Sequence, residues 1–460
     1  MRLSPVLIAL LLGLANPAHA QGNQYGPYDP YVWSVYNEGP GIKFFHDGLV
    51  FHPGLSTELG YDSNVLLATP AADAGMLRLR LHLDLATLPP QRSDGNYKPK
   101  LVFRAGGMFE YRQYFSRDER VGTVQQLNGL SNIDLAIRPH DPLSLYLYNN
   151  LIVTNDTRNL EVATRETFAP RLFWRFGLLG VFRPGNGPLE LGLGDAVRLD
   201  YYISDDLSRN RSFGNEATLY AQLRVLPQTT VKLEVRSSYI TYYESSDFLP
   251  NAVPLRIIAA ANSLLLPALG VSAFAGYGNS LQLGAEQIAG LTRGTAPNYN
   301  NFVGGAELRL RLLAQMRLAL GWARDFYDSI FATYLADDRL YLNYEHYIWR
   351  GLAAQLRFET YFRQYGALAP WRSLGFQGYR VGNVECNDLM PGPCTLSRSD
   401  IILNLAAELK YRVRSWMELG VSYSLLNDIT DFRFVVVPGS QYEDAAFIKH
   451  MVLGKVDIAY

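Results

Sequence analysis

The chain has 460 residues, and at about 150 per domain its length alone would suggest roughly three soluble domains. Composition argues otherwise: charged residues are only 18%, below the roughly 25% of soluble proteins, while aromatics reach 13% with 30 Tyr. An apolar content of 48% excludes a disordered chain, a mean hydropathy of -0.05 excludes a helical membrane protein, and a net charge of -1 gives no sign of a nucleic-acid partner. A Tyr-rich, Gly-rich, charge-poor chain of near-neutral hydropathy fits an all-β fold, a transmembrane antiparallel β-barrel.

In chain order, residues 1–20 read as a secretory signal. Arg2 precedes an apolar run from Val6 to Leu14, and Ala18-His19-Ala20 supplies small residues for cleavage. The run is too short to span a bilayer as a helix, which needs about 20 apolar residues. Residues 21–54 form a lead-in in which Tyr25, Tyr28, Tyr31, Trp33 and Tyr36 interleave with Pro27, Pro30 and Pro40. This segment is expected to be a periplasmic lead-in, or one that docks a partner or occludes the lumen.

Residues 55–460 are expected to form the barrel. Leu77, Leu79, Leu81, Leu83 and Leu85 alternate with Arg78, Arg80, His82 and Asp84, and the same period of two recurs in Ala217–Val225, Val231–Tyr243, Leu340–Ile348, Leu352–Phe362 and Leu403–Tyr411. Successive side chains of a strand point to opposite faces, so each segment has one apolar and one polar face. Segments of about 10 to 14 residues suit tilted spanning strands better than soluble ones. Short turns at Pro139–Pro142, Leu226–Gln228, Leu313–Gln315, Arg350–Gly351 and Val413–Ser415 alternate with longer polar loops. That parity predicts about 18 strands with both termini in the periplasm and the protein integral to the bacterial outer membrane. Sixteen strands stay open, because Ile257 to Ala275 reads either as two strand ends meeting near Pro267 or as a buried or spanning helix.

Cys386 and Cys394 are the only cysteines, and they lie in one Gly/Pro/Asn-rich segment. In an exported chain they are expected to close a disulfide across a long loop. No metal site is expected there, since no further ligand lies nearby. The last strand alternates Val452, Gly454, Val456, Ile458 and terminal Tyr460 with Leu453, Lys455, Asp457 and Ala459. A strand ending on an aromatic residue is similar to the terminal signal of outer-membrane barrels, which the barrel-insertion machinery would read. Outer-membrane lipid is the other expected partner.

At the first strand, His52-Pro53-Gly54-Leu55 leads into Glu58-Leu59-Gly60-Tyr61-Asp62-Ser63-Asn64-Val65. This opening resembles that of the β-barrel porin 2 family, whose first strand carries a Pro followed by a Tyr-Asp-x-Asn-Val stretch. The resemblance extends weakly through Leu318–Trp322 and Tyr341–Phe362. It implies a barrel that carries an exopolysaccharide across the outer membrane beside a periplasmic export partner. It transfers no catalytic residues. The chain also has no Gly-x-Ser-x-Gly elbow, no His-Glu-x-x-His and no phosphate-cradling Gly loop. No enzyme activity and no cofactor are expected.

The polar faces are weighted towards cations. Arg78, Arg80, Arg224, Arg236, Arg309, Arg311, Arg339, Arg357 and Arg363, with Tyr220, Tyr341 and Tyr361, are the candidate lumen residues that would contact an anionic or polyhydroxyl polymer. The alternative is that these charges pair across strands and brace the wall. Three functions follow: a polymer-export pore; an uptake porin for small anions or sugars, with Gly366–Ser399 folded inward as a constriction; or a structural or adhesion barrel with a plugged lumen.

Overall fold

A computed structural model of the chain describes residues 41–44, 48–87, 99–122, 124, 126–155, 170–243, 250–283, 298–368, 378–387, 398–435 and 442–460. The signal segment 1–20 and most of the lead-in, 21–40, lie outside the described residues. A short edge strand, β1 (Ile42–Phe44), precedes the wall. The wall continues with β2 (Leu49–Asp62), β3 (Ala74–Thr87), β4 (Leu101–Phe115), β5 (Gln126–Ile137), β6 (Leu143–Thr154), β7 (Arg171–Phe182) and β8 (Leu189–Tyr202). Next come β9 (Ser212–Leu226), β10 (Thr229–Tyr242), β11 (Leu255–Leu266), β12 (Leu269–Asn279), β13 (Asn300–Leu313), β14 (Met316–Tyr327), β15 (Leu335–Trp349) and β16 (Leu352–Tyr365). Two short strands, β17 (Gly378–Val381) and β18 (Val384–Asn387), precede the wall strands β19 (Ser399–Arg414) and β20 (Met417–Thr430). After the short β21 (Phe432–Val435) and β22 (Glu443–Asp444), β23 (Phe447–Ala459) ends the chain.

Eighteen of these strands form a closed antiparallel barrel. Each pairs with its neighbour in the chain, and β2 closes on β23 in a register running from Gly54 opposite Ala459 to Asp62 opposite Met451. Closure follows from the solvent: hydrocarbon supplies no partner for an open strand edge, so every backbone group must find one in the wall. Pro53 shows how the seam ends. Its carbonyl accepts from the N–H of Tyr460, the last residue, at 2.9 Å, and its missing N–H falls at the final rung, where proline costs least.

The alternation read from sequence sets the two faces. On β3 the side chains of Arg78, Arg80, His82 and Asp84 are buried towards the interior, while Leu81 is exposed on the outer face. Leu59, Phe109, Leu193, Leu219 and Val421 continue the outer apolar belt on other strands. Short turns lie at the end that also carries the start of β2 and the end of β23. Apart from the 88–100 connection between β3 and β4, the longer connections lie at the opposite end, here called the loop end. Residues 255–279 form two strands: β11 and β12 pair from Leu255–Asn279 down to Leu266–Leu269, with Pro267 and Ala268 as the turn. The helix alternative is excluded, and the strand number is eighteen rather than sixteen.

One expected boundary is corrected. The barrel begins at Leu49 rather than Leu55, and Ile42–Phe44 adds to the β2 edge below the end of β23, so the tail of the lead-in belongs to the sheet. The β17–β18 hairpin within Gly366–Ser399 joins β21 and β22 in a separate four-stranded sheet at the loop end. Cys386 falls on the backbone of β18, whereas its side chain and Cys394 lie outside the described residues, and so does the expected disulfide.

The outer belt yields a stability test. Leu193 is 67% exposed on β8. Leu193→Arg should lower stability by about 2–4 kcal/mol, the cost of arginine at the hydrocarbon midplane of a barrel. Ser424→Arg, on the inner face of β20, should change it far less. Urea unfolding of the protein in lipid vesicles measures both.

Candidate functional site

The inner wall over β2 to β5 is a lattice of ion pairs. Antiparallel register sets Glu58 opposite Arg78 and Arg80 opposite Glu110. Arg80 reaches Glu58 at 2.7 Å and Glu110 at 2.5 Å, and Arg112 reaches Glu110 at 2.5 Å. Arg78 binds Glu58 as well. Asn128 donates to Glu110 at 3.1 Å and Arg112 donates to Gln126 at 2.7 Å. Glu58 and Glu110 are 1% and 0% exposed. Arg78 and Arg80 are therefore held as braces between two buried carboxylates.

A second group lies across β13 to β19. Glu359 is buried and accepts from Arg357 at 2.9 Å and from the Tyr361 hydroxyl at 2.9 Å, while Arg339 stands 3.4 Å away. The Arg339 guanidinium sits over the Tyr341 ring at 4.6 Å, and the Tyr341 hydroxyl donates to Glu307 at 2.6 Å. Arg309 pairs with the same Glu307. Arg363 is fully buried against Asp337, making contacts of 2.8 and 2.9 Å. On the far side, Arg236 pairs with Glu234. The Tyr220 hydroxyl donates to Glu190 at 2.7 Å beneath Lys232, whose ammonium is 4.5 Å from the ring centroid.

Exposure divides the candidates by height. Near the short-turn end Arg309 is 49% exposed, and Arg317 and Arg412 exceed one half. Arg224 is exposed, and Arg311 donates only weakly to the Ala314 carbonyl, at 3.4 Å. Arg78, Arg80 and Arg363 are buried. Arginines in contact with water are thus gathered at the short-turn end, and those nearer the loop end are locked to carboxylates.

The feature that sequence reasoning missed is the mouth. The β14–β15 loop turns inward, and Asp328 binds Arg198 of β8 at 2.7 Å. These strands lie six positions apart round the wall, so the contact spans the lumen. Behind it Ile330, Phe331 and Ala332 pack on Tyr202 and Tyr365, with Phe432 and Phe434 of β21 above. From the other side the β2–β3 loop brings Val65, Leu66 and Ala68 onto Met76, Tyr114 and Leu453 of the wall. Asn64 holds this loop, accepting from the Ala68 N–H at 3.1 Å and donating to the Ala68 carbonyl at 3.0 Å. Asp62 accepts from the Asn64 N–H at 3.1 Å, so the Tyr-Asp-Ser-Asn stretch acts as a strand-end turn. The signal was present in the sequence: Ile330-Phe331-Ala332 and Val65-Leu66-Leu67-Ala68 are apolar runs, and both fall in connections of the loop end.

Arg398 fastens the short sheet to the barrel. It lies between the Tyr365 and Phe432 rings, 4.5 and 4.7 Å from their centroids, and binds Asp400 at 2.7 Å. Burial opposes its charge, but Asp400 beside it more than offsets that, and the guanidinium is held more basic than usual. Burial pushes the Tyr379 hydroxyl of β17 up, against the opposing pull of Arg209 and Arg398.

The lattice should respond unequally to neutralisation. Glu110→Gln leaves three buried arginines around an uncharged amide and should cost about 3–5 kcal/mol. Glu307→Gln removes the partner of a half-exposed arginine and should cost under about 1 kcal/mol. Denaturant midpoints at constant slope compare them.

No family model and no curated relative matches the chain. Similar solved structures include OccK2 (OpdF) of Pseudomonas aeruginosa in complex with glucuronate, at 12% identity over 91% of this chain and 100% of that one, with a TM-score of 0.46. The outer membrane protein OpdK of the same organism gives 10% identity, the same coverage and a TM-score of 0.44. The siderophore receptor PirA, also of Pseudomonas aeruginosa, gives 10% identity over 89% of this chain and 80% of that one, with a TM-score of 0.38. The likeness is one of fold alone. With its closed wall, apolar belt and polar interior, the chain is an integral β-barrel of the bacterial outer membrane.

Proposed function

We propose that the barrel is an uptake channel for small anionic solutes such as sugar acids or other carboxylates. The observation that carries this reading is the contact of Asp328 with Arg198, which draws the β14–β15 loop across the mouth. A polymer in transit needs a clear bore from end to end, so the crossing loop counts against the export function that the porin 2 resemblance implies. Below the mouth, half-exposed Arg309, Arg311, Arg317 and Arg412 offer guanidinium forks suited to carboxylates. In this reading the loop end faces outward, the short-turn end faces the periplasm, and β23 ending at Tyr460 is the handle for barrel insertion. Passage is passive and involves no catalytic step or cofactor.

Planar-bilayer recording tests the proposal. The wild type should favour anions, and joint replacement of Arg309→Glu and Arg311→Glu should reverse the preference. Asp328→Ala should release the crossing loop and raise single-channel conductance about twofold. Unchanged conductance and selectivity in both variants would overturn the uptake reading. Loss of surface polysaccharide in cells lacking the gene, restored by complementation, would reinstate export.

A further inference from the structure

Five hairpins at the short-turn end share one geometry: a register shift in the last rungs, a closing pair, and two residues in the turn. Three of them carry neither charge nor tryptophan there. Leu226, Leu266 and Leu313 stand at the first closing position, followed by Pro227-Gln228, Pro267-Ala268 and Ala314-Gln315. The other two, β15–β16 and β19–β20, read Trp349-Arg350-Gly351 and Arg414-Ser415-Trp416 at the same positions. They are neighbours in the wall, because β16 pairs with β19.

Register aims these side chains. Residues directly opposite in an antiparallel pair share a face. Leu352 stands opposite both Trp349 and Tyr411, and Tyr411 alternates with inward, buried Lys410, so Trp349 faces outward. Arg412 is opposite Glu418 on the inner face, but the shift at Val413 sets Arg414 opposite Met417, which in turn pairs with outward Ile458. The bulge has thus turned an arginine to the lipid side. Trp349 and Trp416 are 64% and 43% exposed. Arg350 and Arg414 are exposed as well, and among the described residues neither has an ion pair. Exposed tryptophans at strand ends mark the interfacial layer of the bilayer, so both guanidiniums lie at the depth of lipid headgroups.

The two turns are fixed to one another. The Arg412 N–H donates to the Gly351 carbonyl at 2.8 Å. Gly351 has a φ of +97°, and a Cβ there would meet the Arg412 carbonyl oxygen at 2.9 Å, so glycine is what permits the approach. Hairpin centres two strand spacings apart are ~10 Å from each other, within reach of two long side chains converging on one headgroup.

We infer that these two hairpins form a seat for an anionic phospholipid, its phosphodiester held by Arg350 and Arg414 and its glycerol region packed on Trp349 and Trp416. Net negative charge is selected because a zwitterionic headgroup would bring a cation of its own to two unpaired guanidiniums. The seat follows from the barrel and its register, independently of the uptake reading. Only the leaflet, the periplasmic one, depends on the orientation proposed above.

Native mass spectrometry tests the seat on the full chain, released from nanodiscs of equal phosphatidylglycerol and phosphatidylcholine with matched acyl chains. The wild type should retain phosphatidylglycerol in preference by about tenfold. Arg350→Gln with Arg414→Gln should bring the ratio near one in protein that still runs as the compact, heat-modifiable form on gels. Each single replacement should lower it about threefold, which keeps the test decisive if the double variant fails to insert. Arg138→Gln, at the β5–β6 turn with a side chain 65% exposed, should leave the ratio unchanged. A wild type without preference would overturn the inference. So would a preference that survives the double replacement, or one that Arg138→Gln lowers equally, which would mark diffuse charge instead of a seat.

Discussion

Hydrocarbon cannot hydrogen-bond to a peptide group, and the rest of this structure depends on that constraint. An eighteen-stranded sheet with free edges would leave two rows of N–H and C=O groups unsatisfied in lipid. The β2–β23 seam removes both, and it makes β2 and β23 the first and last strands of the wall. β1 can attach to β2 only below the end of β23, and Pro53 is tolerated because it meets the last rung of the ladder at Tyr460. Closure also makes strand parity a commitment. Once one residue faces inward, every second residue of that strand does, and the register passes the choice to the next strand.

Parity places charge in the interior, and cross-strand register decides what that charge becomes. Where acids and bases fall directly opposite, as Glu58 with Arg78 and Arg80 with Glu110, the lumen wall turns into a stiff lattice with its arginines occupied. Where the opposing residue is neutral, as Thr230 opposite Arg224, the arginine stays exposed to the water of the pore, and Arg309, opposite Gly270, is half-exposed although it pairs with Glu307 of its own strand. Arginine count alone therefore overstates the selective surface. The position of each carboxylate matters more than the number of cations.

Much of this was legible in the sequence. The leucine–arginine alternation of β3, the turn at Pro139–Pro142 and the alternating loop lengths carry the barrel, its strand number and its faces, because period two is a local property of the chain. The pairing of Arg78 and Arg363 was not legible, since partners separated by 20 or 26 residues depend on register. The mouth was hidden for a different reason. The connections at the loop end carry Ile330-Phe331-Ala332 and Val65-Leu66, and an apolar run in a loop says that something covers it without saying what. The cover came from across the wall in one case, Tyr202 and Arg198 of β8, and from a neighbouring strand in the other, Tyr114 of β4. The start of the barrel was misplaced by six residues because His52-Pro53-Gly54 reads as a strand breaker. Only the closed seam shows that proline at a terminal rung breaks nothing.

β8 joins the interior of the barrel to its surface. Arg198 faces the lumen and anchors the loop that narrows the mouth, while Asp195, three residues earlier and of opposite parity, faces lipid with Asn215 as its partner. Period-two alternation is the whole of that connection: it lets adjacent residues of one segment serve two different solvents.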